Sequence, residues 1–470
     1  MFDGGHDIDT YGVLFDCAIG LGRMSDGAGS GGSCTGIVCI ISEDNDCARK
    51  GKKQMRKLIL ATESFPYGRG EKTFILPELE RLKQYFDITI VSHANHEQME
   101  GGICSELPEN IKVVCFGQPQ LSVLDKIEAF ISIFLDRDGR IELKEILQGK
   151  CNRSERFYQS LAFYAQAMAD QKKLRQSGIL STEEPVIYYS FWYTYFCYSM
   201  IREKGRCPSV SIITRTHGID LYHERIPGGR QPFRHQMETR LDAVVFVCEY
   251  GAEYYKIHVK DNEIDNGRLH VCKLGIEAPN RQMPVGQGEE RELLSCSNMI
   301  PLKRIQLIVD GLAQINELKI HWTHIGDGSE RQKLREYAEQ KLGNKDNIRY
   351  TFAGYVENVR AYYEQNQVDC FITTSETEGG CPVSIQEAMS YGIPIIGTDV
   401  GGITEMIADN GILLSANPDE EEVANAIQRI LTLEESDLHK AKAAAYRKWQ
   451  EEFDADKSFD RMYQILNKRE

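Results

Sequence analysis

The greatest concentration of residues that could bind a ligand or take part in catalysis is a short run with two glutamates separated by glycines and a proline. Glu378 and Glu387 lie in the run TSETEGGCPVSIQEAMSYG, with Gly379, Gly380 and Pro382 between them. The run reads as a strand end, a tight turn and a helix, and the first turn of a helix offers free backbone N–H groups to an anion such as a phosphate. Because a phosphate repels carboxylates, the two acids are expected to bind hydroxyl groups or a developing positive charge.

A strand, a turn and a helix must position the two acids. VDCFITT (368–374) is typical of a buried strand, and Pro382 suits the first helical position because its missing N–H needs no partner there. Gly392, with Pro394 just beyond it, is the signature of a helix end. The neighbours of Glu387 are apolar, so its side chain is expected near the buried face, where ribose hydroxyls would bind it.

Apolar strands alternate with amphipathic helices from Met55 onward, which is typical of parallel sheets built from β-α-β units. Before a polar linker at 277–290 the predicted strands are LILAT (58–62), ITIVSHA (88–94), KVVCF (112–116), VIYYSF (186–191), SIITRTH (211–217), AVVFVC (243–248) and LHVCKLG (269–275). After it they are LLSCSN (293–298), IHWTHIG (320–326), IRYTFAG (348–354), VDCFITT (368–374), IPIIGTD (393–399) and GILLS (411–415). The sequence therefore predicts two α/β domains, with a ligand site at the carboxyl ends of the strands facing the cleft.

Composition excludes several classes of protein. A formal net charge of −15 repels nucleic acid, and no dense run of basic residues offsets it. The 14 cysteines form no Cys-x-x-Cys pair, which favours reduced thiols in the cytoplasm. The aromatic run at 186–201 is too short to span a membrane; a buried strand and helix is the favoured interpretation, and a membrane-touching patch is the alternative.

The run around the two glutamates resembles the nucleotide-sugar site of the retaining glycosyltransferases of family 4, which have the GT-B fold. SETEGGCPVSIQEAMSYGIPIIGTDVGG carries the two glutamates, the glycine turn, EAM, and Gly-x-Pro followed by two apolar residues. SCSNMIPLKRIQLIVDGL, HIGDGSERQKL, RTHGIDLYHER and ATESFPYGRGEKTFI are similar to further segments of that family. The resemblance implies an α/β protein of two Rossmann-like parallel-sheet domains facing a cleft.

Four segments follow from the pattern and the resemblance together. Residues 1–54, rich in glycine, are expected to be a poorly structured extension, and a short strand at GIVCIIS is given little weight. Residues 55–280 would form an acceptor-binding domain and residues 281–450 a domain that binds the nucleotide sugar. Residues 451–470 would form a helix that returns to the first domain.

In the second domain the resemblance implies a site for a UDP- or GDP-linked sugar, used as donor substrate, with neither a cofactor nor a metal. Lys303 and Arg304 would neutralise the donor diphosphate in place of a metal ion. Glu387 would bind the ribose hydroxyls, and Glu378 would contact sugar hydroxyls near the anomeric centre. The backbone that would approach the donor phosphates belongs to Gly379, Gly380, Val383 and Ser384.

In the first domain the resemblance implies that His217 sits over the sugar and hydrogen-bonds it. Gly68 and Gly70 would let the first loop approach the phosphates.

Two departures from the family pattern stand out. Eight residues separate Glu378 from Glu387, one more than in the family, so either the turn bulges or Glu378 takes a shifted role. Asn298 stands where the family often has an arginine, and Arg304 or a basic group of the first domain would replace it.

The resulting hypothesis is a hexosyltransferase that acts on a saccharide or lipid-linked acceptor in the synthesis of cell-surface polysaccharide, with retention of configuration. A nucleotide-sugar 2-epimerase of the same architecture and a non-catalytic sugar-nucleotide-binding subunit are the alternatives. The enzyme is expected in the cytoplasm, with peripheral contact at the inner face of the membrane as a further alternative.

Overall fold

The computed structural model describes residues 40–41, 55–68, 70–149, 152–180, 184–259, 265–280 and 289–468. Its first sheet has eight strands in the order β1-β4-β3-β2-β5-β6-β7-β8. They are β1 Ile40–Ile41, β2 Arg56–Thr62, β3 Phe86–Ser92, β4 Lys112–Cys115, β5 Val186–Ser190, β6 Val210–Thr216, β7 Ala243–Phe246 and β8 Leu269–Val271. All neighbours pair in parallel except β1, which pairs antiparallel with β4 at one edge.

The second sheet has six strands, all parallel, in the order β11-β10-β9-β12-β13-β14. They are β9 Arg291–Cys296, β10 Ile320–Ile325, β11 Ile348–Gly354, β12 Cys370–Thr373, β13 Ile395–Thr398 and β14 Gly411–Leu414. In the first sheet, successive strands are added on one side of β2 as far as β4 and then on its other side from β5 onward, so the direction of strand order reverses between β2 and β5. In the second sheet the same reversal lies between β9 and β12. Such reversal points open a crevice at the carboxyl ends of the strands, where ligands bind in α/β proteins.

Helices cover both sheets. In the first domain they are α1 Lys72–Leu82, α2 His96–Glu100, α3 Val123–Leu135, α4 Arg137–Gln148, α5 Arg153–Ser177, α6 Tyr195–Glu203, α7 Arg234–Glu238 and α8 Glu249–Tyr254. Those that follow are α9 Gln306–Gln314, α10 Arg331–Leu342, α11 Val359–Gln365, α12 Val383–Ser390, α13 Glu420–Leu431, α14 Glu435–Glu452 and α15 Ala455–Asn467. Side-chain oxygens cap several of their amino termini, as Ser122 does for α3 and Asp419 for α13.

All thirteen predicted strands are present, with ends that shift by a few residues. The predicted position of Pro382 is wrong: its ψ of 132° makes it the N-cap, and α12 begins at Val383. The membrane-touching alternative for residues 186–201 is also wrong, because β5 is buried throughout and α6 buries most of its side chains in the core. No helix in the described part of the chain has the length and hydropathy needed to cross a bilayer.

The carboxyl-terminal helices connect the two domains. Trp449 on α14 lies in the core of the second domain, whereas Met462 and Leu466 on α15 lie in a core cluster formed mainly by the first sheet. Ile276 pairs with Asp454 at the junction of these helices. The predicted boundaries at residues 54, 280 and 450 stay predictions, and apart from β1 the predicted extension lies outside the described residues.

Candidate functional site

The crevice of the second sheet brings together the two segments that carry the predicted site residues. Lys303 follows β9 and Glu378 follows β12, and these two strands flank the point where chain order reverses. Their loops are joined by hydrogen bonds, since the N–H of Glu376 donates to the carbonyl of Leu302 at 2.8 Å. The sheet topology, rather than proximity in sequence, therefore places Lys303 beside Glu378.

Lys303 and Glu378 form an ion pair. The Lys303 Nζ lies 2.5 Å from Glu378 Oε1, and the same oxygen accepts a hydrogen bond from Ser375 Oγ at 2.7 Å. Both side chains keep some exposure to solvent, 19% for Lys303 and 14% for Glu378. The lysine is therefore held at the crevice with its charge balanced by a carboxylate, in a position where an anionic ligand could compete for it.

Arg304 has a different set of contacts. Its guanidinium donates to the carbonyls of Thr374, Ser375 and Ala416 and to the side chain of Asn417, at 2.8–2.9 Å. These bonds fix the loop after β12 against the loop after β14. As positioned, Arg304 stabilises the crevice, and its predicted contact with a diphosphate stays a prediction.

The amino terminus of α12 points its backbone N–H groups at this crevice. Pro382 provides no side-chain cap, and within the described structure no backbone acceptor bonds the N–H groups of Val383 and Ser384. Gly380 in the preceding turn packs closely against the first domain, where an added Cβ would lie 2.7 Å from Val247 Cγ2. Uncapped helical N–H groups of this kind are suited to binding a phosphate.

Glu387 lies one turn further along α12, beside the apolar face formed by Ile385, Ala388 and Met389. Burial raises the pKa of its carboxyl to about 7, and Arg360 partly opposes the rise. Its charge in turn contributes to the raised pKa of Cys296, the last residue of β9, so the carboxyl lies near the end of that strand. In the described part of the chain, the Glu387 carboxyl has no hydrogen-bond or ion-pair partner, which leaves it available to ligand hydroxyls.

We expect Glu387→Gln to stabilise the unliganded protein at pH 8 but not at pH 4. A raised pKa means that the folded state holds the proton more tightly, so stability falls as the pH rises from 4.5 to about 7. A shift of this size corresponds to about 3 kcal/mol at 1.36 kcal/mol per pH unit, and the glutamine lacks it. Urea unfolding of both proteins at the two pH values measures the difference. A stability gain that is the same at both would contradict the assignment.

His217 lies at the end of β6, on the opposite side of the cleft. Its ring lies 4.9 Å from Phe191 and 4.4 Å from Trp192, measured between ring centroids. Burial, reinforced by the charge of Arg215, lowers the pKa of His217 to about 3, so the ring is neutral near pH 7. Its Nδ1 is buried and has no hydrogen-bond partner in the parts of the chain that the structure describes. A neutral imidazole can hydrogen-bond a sugar hydroxyl but does not supply positive charge to a phosphate.

The segment after His217 touches the turn between the two glutamates. An added Cβ on Gly218 would lie 2.5 Å from the Cα of Gly379, so the two backbones meet without room for a side chain. Arg225 donates to Thr377 Oγ1 at 2.7 Å, and the Tyr222 hydroxyl donates to the carbonyl of Gly379 at 3.3 Å. The cleft is therefore closed at this point, and the turn that carries the extra residue is the part that closes it.

The loop between β2 and α1, called the first loop above, is held in place by the buried carboxylate of Glu71. Glu71 accepts hydrogen bonds from the N–H groups of Glu63 at 3.0 Å, Ser64 at 2.6 Å and Phe65 at 2.7 Å. It also accepts one from Trp192 Nε1 at 2.6 Å, which connects the loop to the ring beside His217.

The two glycines of this loop differ in their surroundings. The N–H of Gly68 donates to the carbonyl of Ser64, and an added Cβ would collide with the Ser64 side chain. Gly70 is exposed and has open space around it. The absence of a side chain at Gly68 thus allows the tight turn to form against Ser64. The predicted approach of both glycines to phosphates stays a prediction.

Replacing Glu71 by glutamine should destabilise the protein by about 3 kcal/mol, because hydrogen bonds to a charged group contribute about 1.5–3 kcal/mol and the new amide would direct N–H groups at backbone N–H donors. Denaturant unfolding of Glu71→Gln against the exposed control Glu97→Gln measures this. Equal stability of the two variants would show that the loop does not depend on the carboxylate.

Sequence reasoning did not single out Glu71, Tyr222 or Arg225. All three lie in segments that were noted for their resemblance, GRGEKT and RTHGIDLYHER, but nothing in their spacing distinguishes them from surface residues. Their partners lie 6 to 157 positions away in sequence, so only folding brings the groups together.

Residues 290–433 match the family model described as Glycosyl transferases group 1. The N-acetyl-alpha-D-glucosaminyl L-malate synthase of Bacillus anthracis is 31% identical over 154 residues, which cover 32% of this chain and 38% of that protein. The GtfA subunit of a UDP-N-acetylglucosamine–peptide N-acetylglucosaminyltransferase of Streptococcus agalactiae is 29% identical over 194 residues, 37% of each chain. The match thus spans well under half the length of these relatives.

Solved structures extend the likeness to both domains. A lipopolysaccharide outer core galactosyltransferase, WaaB, superposes with a TM-score of 0.61 at 16% identity, over 87% of this chain and 99% of that one. Anabaena HepE, solved in complex with UDP and glucose, gives a TM-score of 0.60 at 13% identity, with the same coverage. At such identities the likeness shows the fold. The chain therefore has the two-domain GT-B fold, and its residues 290–433 match the family model of the group 1 glycosyl transferases.

Proposed function

We propose that the protein transfers a hexose from a UDP- or GDP-linked sugar to a hydroxyl acceptor in glycoconjugate or polysaccharide synthesis in the cytoplasm. The observation that carries the proposal is the convergence of three groups at one crevice: the Lys303 ammonium, the N–H groups at the start of α12 and the Glu387 carboxyl, the last two without partners among the described residues. A diphosphate needs the first two, and ribose hydroxyls need the third.

In the proposed mechanism the donor diphosphate displaces Glu378 from Lys303. The ammonium and the N–H groups of Val383 and Ser384 then stabilise the charge that develops on the leaving diphosphate. Glu378, freed from its ion pair, accepts hydrogen bonds from the sugar, and neutral His217 bonds the sugar from the first domain. Each contact made by the diphosphate strengthens as the glycosidic bond breaks, which lowers the barrier to transfer.

Retention of configuration is proposed to follow front-face attack. A double displacement needs a free carboxylate nucleophile at the anomeric carbon. Glu378 is assigned to the sugar hydroxyls once the donor displaces it from Lys303, Glu387 is assigned to the ribose, and no further acid of the site is assigned to the anomeric carbon. We therefore expect the leaving diphosphate, not a side chain, to take the acceptor proton.

The test is release of free nucleotide from a panel of UDP- and GDP-sugars, with and without saccharide or lipid-linked acceptors. A glycosyltransferase releases nucleotide mainly when an acceptor is present, and proton NMR of the product reports its anomeric configuration. Conversion of the donor without acceptor would favour a 2-epimerase. Binding without any turnover across the panel would favour a non-catalytic subunit.

A further inference from the structure

Helix α3 of the first domain exposes an apolar surface that no element of the described structure covers. Its buried side is formed by Ala129 and Ile133, which pack into the core of the first domain. The opposite side is exposed, with Leu124 at 76% and Leu135 at 72%. We define the α3 patch as Leu124, Ile127, Phe130, Ile131, Phe134 and Leu135, all of which are exposed. Contiguous exposed apolar residues of this kind mark interaction sites.

The next helix places bases on its exposed side and acids on its inner side. Arg137, Arg140 and Lys144 are spaced three and four residues apart on α4 and are all exposed. The inner acids Asp138 and Glu142 are buried. We call Arg137, Arg140 and Lys144 the α4 basic ridge.

The three acids of α4 all bond to groups within the fold. Arg240 donates to Asp138 at 2.7 Å, and Glu142 accepts hydrogen bonds from Ser160 Oγ at 2.7 Å and from the Phe233 N–H at 3.0 Å. Glu145, the third acid, forms an ion pair with Arg230. The outward charge of α4 is therefore positive, in a chain whose formal net charge is −15.

We propose that the α3 patch and the α4 basic ridge dock the protein on a membrane surface that contains anionic lipids. An apolar face inserts at the boundary between headgroups and acyl chains, and adjacent lysines and arginines are attracted to anionic headgroups. The acids of α3 give this face no net negative charge, because Asp125 and Glu128 share Lys172 and the same helix carries the exposed Lys126. Docking of this kind requires no sugar transfer, so membrane binding can be tested independently of the proposed activity.

Sedimentation of the full chain with vesicles tests the proposal. Binding is expected to vesicles of phosphatidylcholine mixed with phosphatidylglycerol, and much less to phosphatidylcholine alone. Ile127→Asp combined with Phe130→Asp should weaken binding at least tenfold, whereas Ile257→Asp combined with Tyr355→Asp, on other exposed surfaces, should leave it unchanged. Arg137→Glu combined with Lys144→Glu should weaken binding to the anionic vesicles by about fivefold or more for each base altered.

Circular dichroism melting of each variant checks that the fold is retained. Absence of vesicle binding by the unaltered protein would overturn the proposal. So would a dimer in sedimentation velocity that the α3 variants dissociate, since a second copy of the chain would then occupy the patch. Equal loss of binding in the Ile257→Asp and Tyr355→Asp control would also overturn it, because the attraction would not be specific to this surface.

Discussion

Lys303→Ala is expected to lower kcat by about 10²–10³-fold, the usual loss when one preorganised donor to a developing negative charge is removed. The same variant should lose most of the thermal stabilisation that UDP or GDP gives the unaltered protein, because Lys303 is the ammonium at the diphosphate position. The matched control is Lys333→Ala, an exposed lysine on α10 that pairs with Glu330 at 2.9 Å, which should leave both quantities unchanged.

Glu378→Gln tests the role of the carboxylate in the Lys303–Glu378 ion pair independently of the lysine. Because it releases Lys303 from a carboxylate 2.5 Å away, nucleotide binding should be retained or strengthened. Turnover should fall, since Glu378 is proposed to contact the sugar. Undiminished nucleotide stabilisation in Lys303→Ala would refute the diphosphate assignment, and weakened nucleotide binding in Glu378→Gln would refute the proposed competition between carboxylate and diphosphate.

Gly218→Ala should separate the two domains at the cleft and lower kcat/KM by about 10²-fold, since a misplacement of about 1 Å in a catalytic site has an effect of that size. The new Cβ would lie 2.5 Å from the Cα of Gly379 and 2.7 Å from an Arg225 nitrogen. Gly379→Ala creates the same clash, because its new Cβ would lie 2.8 Å from the Cα of Gly218. Because the two glycines belong to different domains, the clash pushes the domains apart at this contact.

Nucleotide binding distinguishes this effect from a general loss of folding. The proposed nucleotide contacts lie in the second domain, so UDP- or GDP-induced stabilisation should persist in Gly218→Ala while turnover falls. Gly379→Ala alters the turn that is predicted to approach the phosphates, so it should lower both. Gly205→Ala, where the added Cβ has open space, is the control for both. Unchanged turnover together with an unchanged radius of gyration in X-ray scattering would show that the glycine contact does not set the cleft.

The architecture was predictable because it rests on local patterns. Apolar runs bounded by turn residues indicated every strand from β2 to β14, and the helices between them required parallel pairing. Only β1, two residues long and paired through backbone atoms with β4, left too weak a pattern to be given weight. Pro382 was misplaced by one residue because a proline suits both the N-cap and the position after it, and the ψ angle alone separates them.

The exposure of the α3 patch could not be predicted in the same way. VLDKIEAFISIFL is apolar on most sides, so its sequence fits a buried helix as well as an exposed one. The aromatic run at 186–201 had the opposite outcome, since tyrosines that suit a membrane interface are buried in the core. In both cases the deciding factor is which neighbouring elements pack against the helix, and that depends on distant parts of the chain.

The sequence by itself determined the strands of the two sheets and the residue types at their carboxyl ends, because strand periodicity and turn chemistry act over a few residues. The points where strand order reverses depend on pairing between distant strands. Only the tertiary structure decided what those residues touch. It paired Lys303 with Glu378, gave Arg304 a role in holding loops, and left the buried Glu387 carboxyl without a partner among the described residues. The Gly379 turn, which departs from the family spacing, closes the cleft against Gly218. Such contacts join residues far apart in sequence and form only on folding, and the contact of Gly379 with Gly218 needs both domains.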